Sequence, residues 1–287
     1  MKNILITGCH GQLGSEFKNL EKEFPNYKFF FRDLDLDITQ KKKVEDFIKK
    51  NKINVILNTA AYTNVNNAEI EKNNADLVNV EAVKNLVELS EKHNCKLIHY
   101  STDYVYDGTS KTPINEKCLV NPINYYGESK RKGEIFIENS PSESIVIRTS
   151  WLYSRYGHNF VNTIIEKATK EKEINVVNDQ FGCPTYAKDL AWDSLKILES
   201  NIKLDSRGKV YNYSNLGSTN WSDFAKKIIE QLNIKCEINE VSTAYFKSTV
   251  RRPAYSITNK ALISSTFNLN IPKWEDSLKT YLTNFKL

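Results

Sequence analysis

The chain has 287 residues, 40% of them hydrophobic and 26% charged, an ordinary balance for a globular protein. That length supports one large α/β domain, or a main domain with a smaller lobe, and its core needs no disulfide or metal staple. The formal net charge of +5 is spread over scattered lysines; these read as solvated helix faces, no nucleic-acid-binding motif accompanies them, and no stretch approaches the ~20 apolar residues of a membrane-spanning helix.

The first six residues hold one basic side chain and an apolar run too short for a signal peptide. Residues 4–7 predict a buried strand. Gly8-Cys9-His10-Gly11-Gln12-Leu13-Gly14 follows at once and opens an amphipathic helix over residues 12–23. Glycines spaced this way allow a tight turn, let peptide N–H groups approach a diphosphate, and bring helix and strand close together. Their place, after a first strand and before a first helix, makes them a dinucleotide signal. Residues 27–31 predict a second strand, followed by Arg32, Asp33, Asp35, Asp37 and Ile38. An acid there suits ribose hydroxyls and an arginine suits a 2′-phosphate, so NADH and NADPH both stay open.

Residues 44–50 predict a helix and 54–58 a third strand. The strand ends in Asn58-Thr59-Ala60-Ala61-Tyr62-Thr63, whose small residues suit the nicotinamide side of a cofactor. Residues 76–93 predict one long helix, with Leu77, Val80, Val83, Leu86 and Val87 at helical spacing. A fourth strand, 96–100, runs into Ser101 and Thr102, hydroxyls at the sheet edge where ligands sit. Residues 126–138 predict a helix that opens with Tyr126-Gly127-Glu128-Ser129-Lys130. Positions four apart share a helix face, so a Lys130 ammonium is expected to favour the phenolate of Tyr126, which then shuttles a proton near neutral pH. A fifth strand covers 144–148. Strand and helix alternating this way argue for a parallel sheet covered on both faces.

After Trp151 the rhythm loosens. Helices are expected over 162–172, 188–199 and 221–232, strands over 209–214 and 235–241, and a polar loop over 242–253. Five widely spaced cysteines include no CxxC and no Cys/His grouping with zinc spacing. Reduced thiols, a cytoplasmic location and no metal site are the expectation.

Gly11-Gln12-Leu13-Gly14, Ala60-Ala61-Tyr62-Thr63, the segment from Tyr100 to Val105, Tyr126-Gly127 with Lys130, Arg148-Thr149-Ser150-Trp151 and Arg252-Pro253 together resemble the dTDP-4-dehydrorhamnose reductases, within the extended short-chain dehydrogenase/reductase family. The resemblance runs from residue 1 to about 285. It implies a doubly wound parallel sheet of the Rossmann type in residues 1–151. Residues 152–287 would complete the sheet and form a substrate lobe. NADH or NADPH would lie across Gly8, His10, Gly11, Gln12, Leu13 and Gly14, with Asp37 and Ile38 near the adenine and Ala61, Tyr62 and Thr63 along the inner half. Tyr126 would be the general acid and Lys130 would bind the nicotinamide ribose and tune it. Thr102 would complete the hydrogen bonds on the reacting oxygen. Val65, Asp103, Tyr104 and Trp151 would contact a 4-keto-6-deoxy sugar carried on a nucleoside diphosphate. Trp151 offers a flat apolar face for a deoxy sugar, and Arg251 and Arg252 can pair with a diphosphate.

Two departures matter. Where the relatives carry an acid before Ala-Glu, this chain has Asn66 and Asn67 before Ala68 and Glu69. Some relatives dimerise through carboxylate-bound Mg²⁺; Glu16 matches one such position but Lys188 occupies another, and a cation there repels Mg²⁺. A monomer, or a homodimer without a bridging metal, is therefore expected. Reduction of a related 4-keto sugar nucleotide stays open as an alternative. So does a non-catalytic regulatory subunit of the same fold, although the Tyr126, Lys130 and Thr102 set argues against it.

Overall fold

Four apolar strands, β1 (Lys2–Thr7), β3 (Val55–Asn58), β4 (Lys96–Thr102) and β5 (Ser144–Thr149), bury nearly every side chain they carry. Burial on both faces is the mark of a central parallel sheet. The computed structural model describes residues 1–206, 208–283 and 285. In it these strands join β2 (Tyr27–Arg32) and a strand at Val210–Asn212 in one six-stranded sheet. Every pairing in it is parallel, and the order is β2, β1, β3, β4, β5, then Val210–Asn212.

Alternate residues sort to opposite faces. Ile4, Ile6, Leu57 and Ile98 share a core with Phe17, Leu190 and Leu195, which come from the helices Gln12–Asn19 and Ala187–Glu199. Leu5, Ile56 and Leu97 share another with Val44, Leu86 and Ile137, from the helices Lys41–Asn51, Ala82–His93 and Tyr125–Asn139. The strand order reverses between β1 and β3, which opens a crevice beyond their carboxyl ends.

The remaining chain packs around a third core that includes Tyr153, Val161, Phe224, Ile228, Trp274 and Leu278. Here the strand expected near 235–241 occupies Glu237–Val241 and pairs in parallel with Glu173–Val177, a strand that the sequence reading did not anticipate. The helices Ala261–Phe267 and Trp274–Thr283 were likewise not anticipated. The helix expected over 12–23 ends at Asn19 and gives way to a single 3₁₀ turn, Glu21–Glu23. The helix expected over 76–93 is broken: Lys72–Asp76 leads into a π turn, Leu77–Glu81, before Ala82–His93 resumes α geometry. Among the described residues, no helix is long and apolar enough to cross a membrane, and all five cysteines are free.

Candidate active site

The glycine turn divides its labour. Gly8 has φ +65°, and a Cβ on it would sit 2.7 Å from the Ala60 Cα. A Cβ on Gly14 would sit 2.3 Å from the Gly8 carbonyl oxygen. These two glycines therefore let the Gln12–Asn19 helix and the end of β3 press against the turn. Gly11 meets only the Gly8 oxygen, at 3.3 Å, and is the N-cap of the helix. It leaves the positive helix end open toward the crevice, which fits a dinucleotide phosphate.

Gly8, Gly11, Gln12 and Leu13 line a cavity of about 850 Å³, together with Asp37, Ile38, Ala60, Ala61, Tyr62, Thr63 and Val65. Its far end holds Thr102, Asp103, Tyr104, Tyr126, Lys130 and Trp151. Most of the residues expected at a site thus share one cavity. Arg251, which is exposed, and four others do not line it. Gly14 lies behind the turn. The His10 ring is exposed, with Nδ1 3.7 Å from Asp33 Oδ2, and the His10 backbone N–H donates to the same oxygen at 2.9 Å. Arg32 turns away: its guanidinium lies 4.9 Å from the Phe47 ring and pairs with Asp35 at 3.4 Å. Arg252 is exposed, with Nη2 3.4 Å from Asn66 Oδ1.

Asn79, which the sequence reading treated as one more helical position, organises the inner half. It is fully buried in the π turn. Its Oδ1 accepts from the Tyr62 N–H at 2.9 Å, while its Nδ2 donates to the Tyr62 carbonyl and the Ser129 hydroxyl, both at 3.0 Å. One amide thereby ties the loop after β3 to the helix that carries Tyr126. π turns of this kind concentrate at functional sites.

That helix is capped by Asn124, whose side chain accepts from the Gly127 N–H. Gly127 allows close approach, since a Cβ there would lie 2.1 Å from the Tyr104 carbonyl oxygen. The Tyr104 ring meets Tyr126 edge-on, with centroids 5.9 Å apart. The Thr102 hydroxyl donates to Asp103 Oδ1 at 3.1 Å and accepts from the Tyr104 N–H at 3.1 Å.

The electrostatics differ from the sequence expectation. Burial pushes the Tyr126 phenol well above its usual value; the Thr102 hydrogen bond pulls against this, and Asp103 and Tyr104 reinforce it. Lys130 does not pair with the phenol. Its Nζ sits 2.7 Å from the Tyr100 carbonyl and 3.1 Å from His99 Nε2, and burial lowers its pKa to about 7, with Glu134 acting in the opposite sense. The predicted lowering of the tyrosine by an adjacent ammonium is therefore not what this geometry produces. Tyr126 is held as a neutral phenol, the form a proton donor needs. Burial likewise lifts the Asp103 carboxyl to about 6, with Ser256 and Thr102 acting to lower it.

At the far end of the cavity Trp151 takes the left-handed φ of +47° and stacks on Trp221, centroids 3.4 Å apart and planes 8° apart. Gly182 makes room for it, since a Cβ there would lie 2.5 Å from the indole. Trp221 also lines the cavity, which sequence reasoning missed because that residue stands 70 positions later in the chain, as a helix start only. Three residues before Trp151, buried Arg148 donates a pair of hydrogen bonds to Glu134 (Nε to Oε1 2.9 Å, Nη2 to Oε2 2.6 Å) and a further one to the Tyr106 hydroxyl at 2.9 Å.

Two groupings bear on metals. The ligand atoms of Cys9, His10 and Asp33 lie within 4.8 Å of one another, a grouping that linear spacing hides because Asp33 follows a different strand. Glu16 is buried; burial raises its carboxyl while Asn19, Lys188 and Arg155 act to lower it.

With this geometry in place, comparison with known proteins gives one answer. Residues 1–287 match the family model described as the RmlD substrate binding domain. A dTDP-4-dehydrorhamnose reductase of Aggregatibacter actinomycetemcomitans is 35% identical over 97% of this chain and 98% of its own. The spore coat polysaccharide biosynthesis protein SpsK of Bacillus subtilis is 34% identical over 98% and 97%. The crystal structure of a dTDP-4-dehydrorhamnose reductase from Bacillus anthracis, in complex with NADP, is 36% identical with a TM-score of 0.93 over 99% of this chain and 100% of that one. A Clostridium acetobutylicum counterpart is 34% identical with a TM-score of 0.92, covering 98% of each chain. A match over the full length, on a sheet of this order, places the chain in the RmlD substrate binding domain family, among the relatives named dTDP-4-dehydrorhamnose reductase.

Proposed function

We propose that this chain is an NAD(P)H-dependent reductase of the C4 keto group of a nucleoside-diphosphate 4-keto-6-deoxy sugar, acting on dTDP-4-dehydrorhamnose to give dTDP-rhamnose. The observation that carries this reading is the single cavity shared by the glycine turn, the Thr102 and Tyr126 hydroxyls and Lys130. A bound nicotinamide cofactor supplies the hydride. Gly8 and Gly11, at the helix N-terminus, receive its diphosphate. Asp37 and Ile38 sit at the adenine end, and Ala60, Ala61, Tyr62 and Thr63 orient the inner half. Thr102 and Tyr126 hydrogen-bond the substrate carbonyl, and Tyr126 gives its phenolic proton to the oxygen as negative charge develops there. Lys130 holds the ribose side next to Tyr126. Val65, Asp103, Tyr104 and Trp151 enclose the sugar, with Trp151 presenting its indole face. On this reading residues 1–151 carry the cofactor, and residues 152–287 complete the sheet and shape the sugar-nucleotide lobe.

The experiment is NADPH and NADH consumption with dTDP-4-dehydrorhamnose, with the sugar product identified afterwards. Tyr126→Phe is expected to lower kcat by about 10²-fold or more while the cofactor dissociation constant stays within about twofold, as hydroxyl removal leaves the phosphate and ribose contacts in place. Undiminished turnover in that variant removes Tyr126 from its role.

A further inference from the structure

Arg32 and Asp33 stand side by side at the carboxyl end of β2, yet of the two only Asp33 borders the cavity. The Asp33 carboxylate is held from two sides. Its Oδ2 accepts from the His10 N–H at 2.9 Å and its Oδ1 from the Leu34 N–H at 3.0 Å. The Cys9 N–H donates to the Arg32 carbonyl at 3.1 Å, which latches the glycine turn to the end of β2 beside Asp33. Swinging the carboxylate away from the cavity would strand two backbone donors. A carboxylate has about four acceptor positions, so some remain for a ligand.

Arg32 is committed elsewhere. Its guanidinium lies 4.9 Å from the Phe47 ring, Nη1 donates to the Phe31 carbonyl at 2.7 Å, and Nε lies 3.4 Å from Asp35 Oδ2. The lysines that follow are engaged as well: Lys41 pairs with Glu88 and Lys42 with Asp46, while Lys43 acts on Asp37. The His10 ring, 3.7 Å from Asp33 Oδ2, approaches the same acid. Among the described residues that line the cavity, Lys130 is the one lysine or arginine, and it lies at the opposite end beside Tyr126.

The two nicotinamide cofactors differ at the adenosine ribose. NADH carries a 2′-hydroxyl there, which donates and accepts; NADPH carries a 2′-phosphate of about −2 charge, whose oxygens accept. We propose that Asp33 makes NADH the preferred cofactor of this chain. Its carboxylate accepts from the ribose hydroxyls and repels the 2′-phosphate, and no guanidinium or ammonium among the described residues lines that end of the cavity to offset the repulsion. This preference rests on the proposed placement of the diphosphate at Gly8 and Gly11 and of the adenine at Asp37 and Ile38, which puts the ribose between them, beside Asp33.

The test is titration of the intact chain with NADH and with NADPH, without keto sugar, followed by nicotinamide fluorescence at pH 7.5. NADH is expected to bind about tenfold or more tightly than NADPH. The gap should narrow as salt rises, because screening weakens the repulsion. Equal affinities, or tighter binding of NADPH, overturn the proposal. Failure of both cofactors to bind overturns the placement itself and the preference with it, a result distinct from equal binding. A second arm uses Asp33→Asn, which keeps a side-chain oxygen for one backbone donor and removes the charge. NADPH affinity is expected to rise about tenfold while NADH affinity falls about threefold. A merely structural Asp33 would weaken both cofactors alike, and an unmoved ratio overturns the proposal. Should the variant fail to fold, the wild-type ratio and its salt dependence still decide.

Discussion

Asp103 shows how a single buried carboxyl sets a pH dependence. Its folded pKa of about 6 stands above the unfolded value of 3.8, chiefly through burial. The folded state thus binds the proton more tightly, its advantage is complete below about pH 4, and stability is lost as the pH rises from about 4 to about 6. Asp193, also lifted to about 6 by burial, acts in the same window. Asp103→Asn is expected to remove part of this slope, on the order of 3 kcal/mol at about 1.4 kcal/mol per pKa unit. Urea denaturation of both proteins between pH 4 and 7 measures it, and equal slopes would refute the assignment. The residues to which the cofactor turn and the proton transfer are assigned by proposal were legible in the sequence because they sit in short linear motifs: the glycine turn, Thr102 at a strand end, and Tyr126 with Lys130. His99 was not. A lone histidine between Ile98 and Tyr100 in an apolar strand reads as core, and its partners, Asn58 and Lys130, come from β3 and a helix.

At the scale of elements, the alternation of apolar runs and helices fixes the order and nearly the limits of β1 to β5, because strands buried on both faces leave a strong signal. The π turn at Leu77–Glu81 left no such trace, since the apolar spacing continues through it. Its cause lies in tertiary contacts, where Asn79 answers both the N–H and the carbonyl of Tyr62. Asn79→Ala strands these two backbone groups and is expected to cost about 1–3 kcal/mol. It should also loosen the loop that carries Ala61, Tyr62 and Thr63. Chemical denaturation reads the first effect and cofactor titration the second, as a weaker dissociation constant; an unchanged constant would show that the loop holds itself. Among the described residues, the strands Glu173–Val177 and Glu237–Val241 pair only with each other, so the first of them, with polar Glu173 and Asn175 exposed, lacks the buried run that betrays a central strand.

The cavity as a whole joins segments from both halves of the chain, and this is where linear reading falls short. Trp151 was chosen for its flat face, but the second wall of that platform, Trp221, arrives from a helix beside a separate core. Trp221→Ala removes the stacking partner while leaving the glycine turn untouched. It is expected to raise KM for the sugar nucleotide by roughly tenfold, from a stacking contribution of about 1 kcal/mol plus lost contact area. The cofactor dissociation constant should not change. Steady-state kinetics with each ligand varied in turn separates the two, and a parallel loss of cofactor affinity would show that Trp221 supports the entire cavity.

The paired hydrogen bonds from Arg148 to Glu134 have a consequence beyond the two residues they neutralise. Glu134 lies one turn past Lys130 on the helix that bears Tyr126, and Arg148 lies three residues before the Trp151 indole. Through this rivet, the Tyr126 and Trp151 ends of the pocket are mounted on one chassis. The distance from phenol to indole platform is therefore set once, when strand and helix lock together during folding.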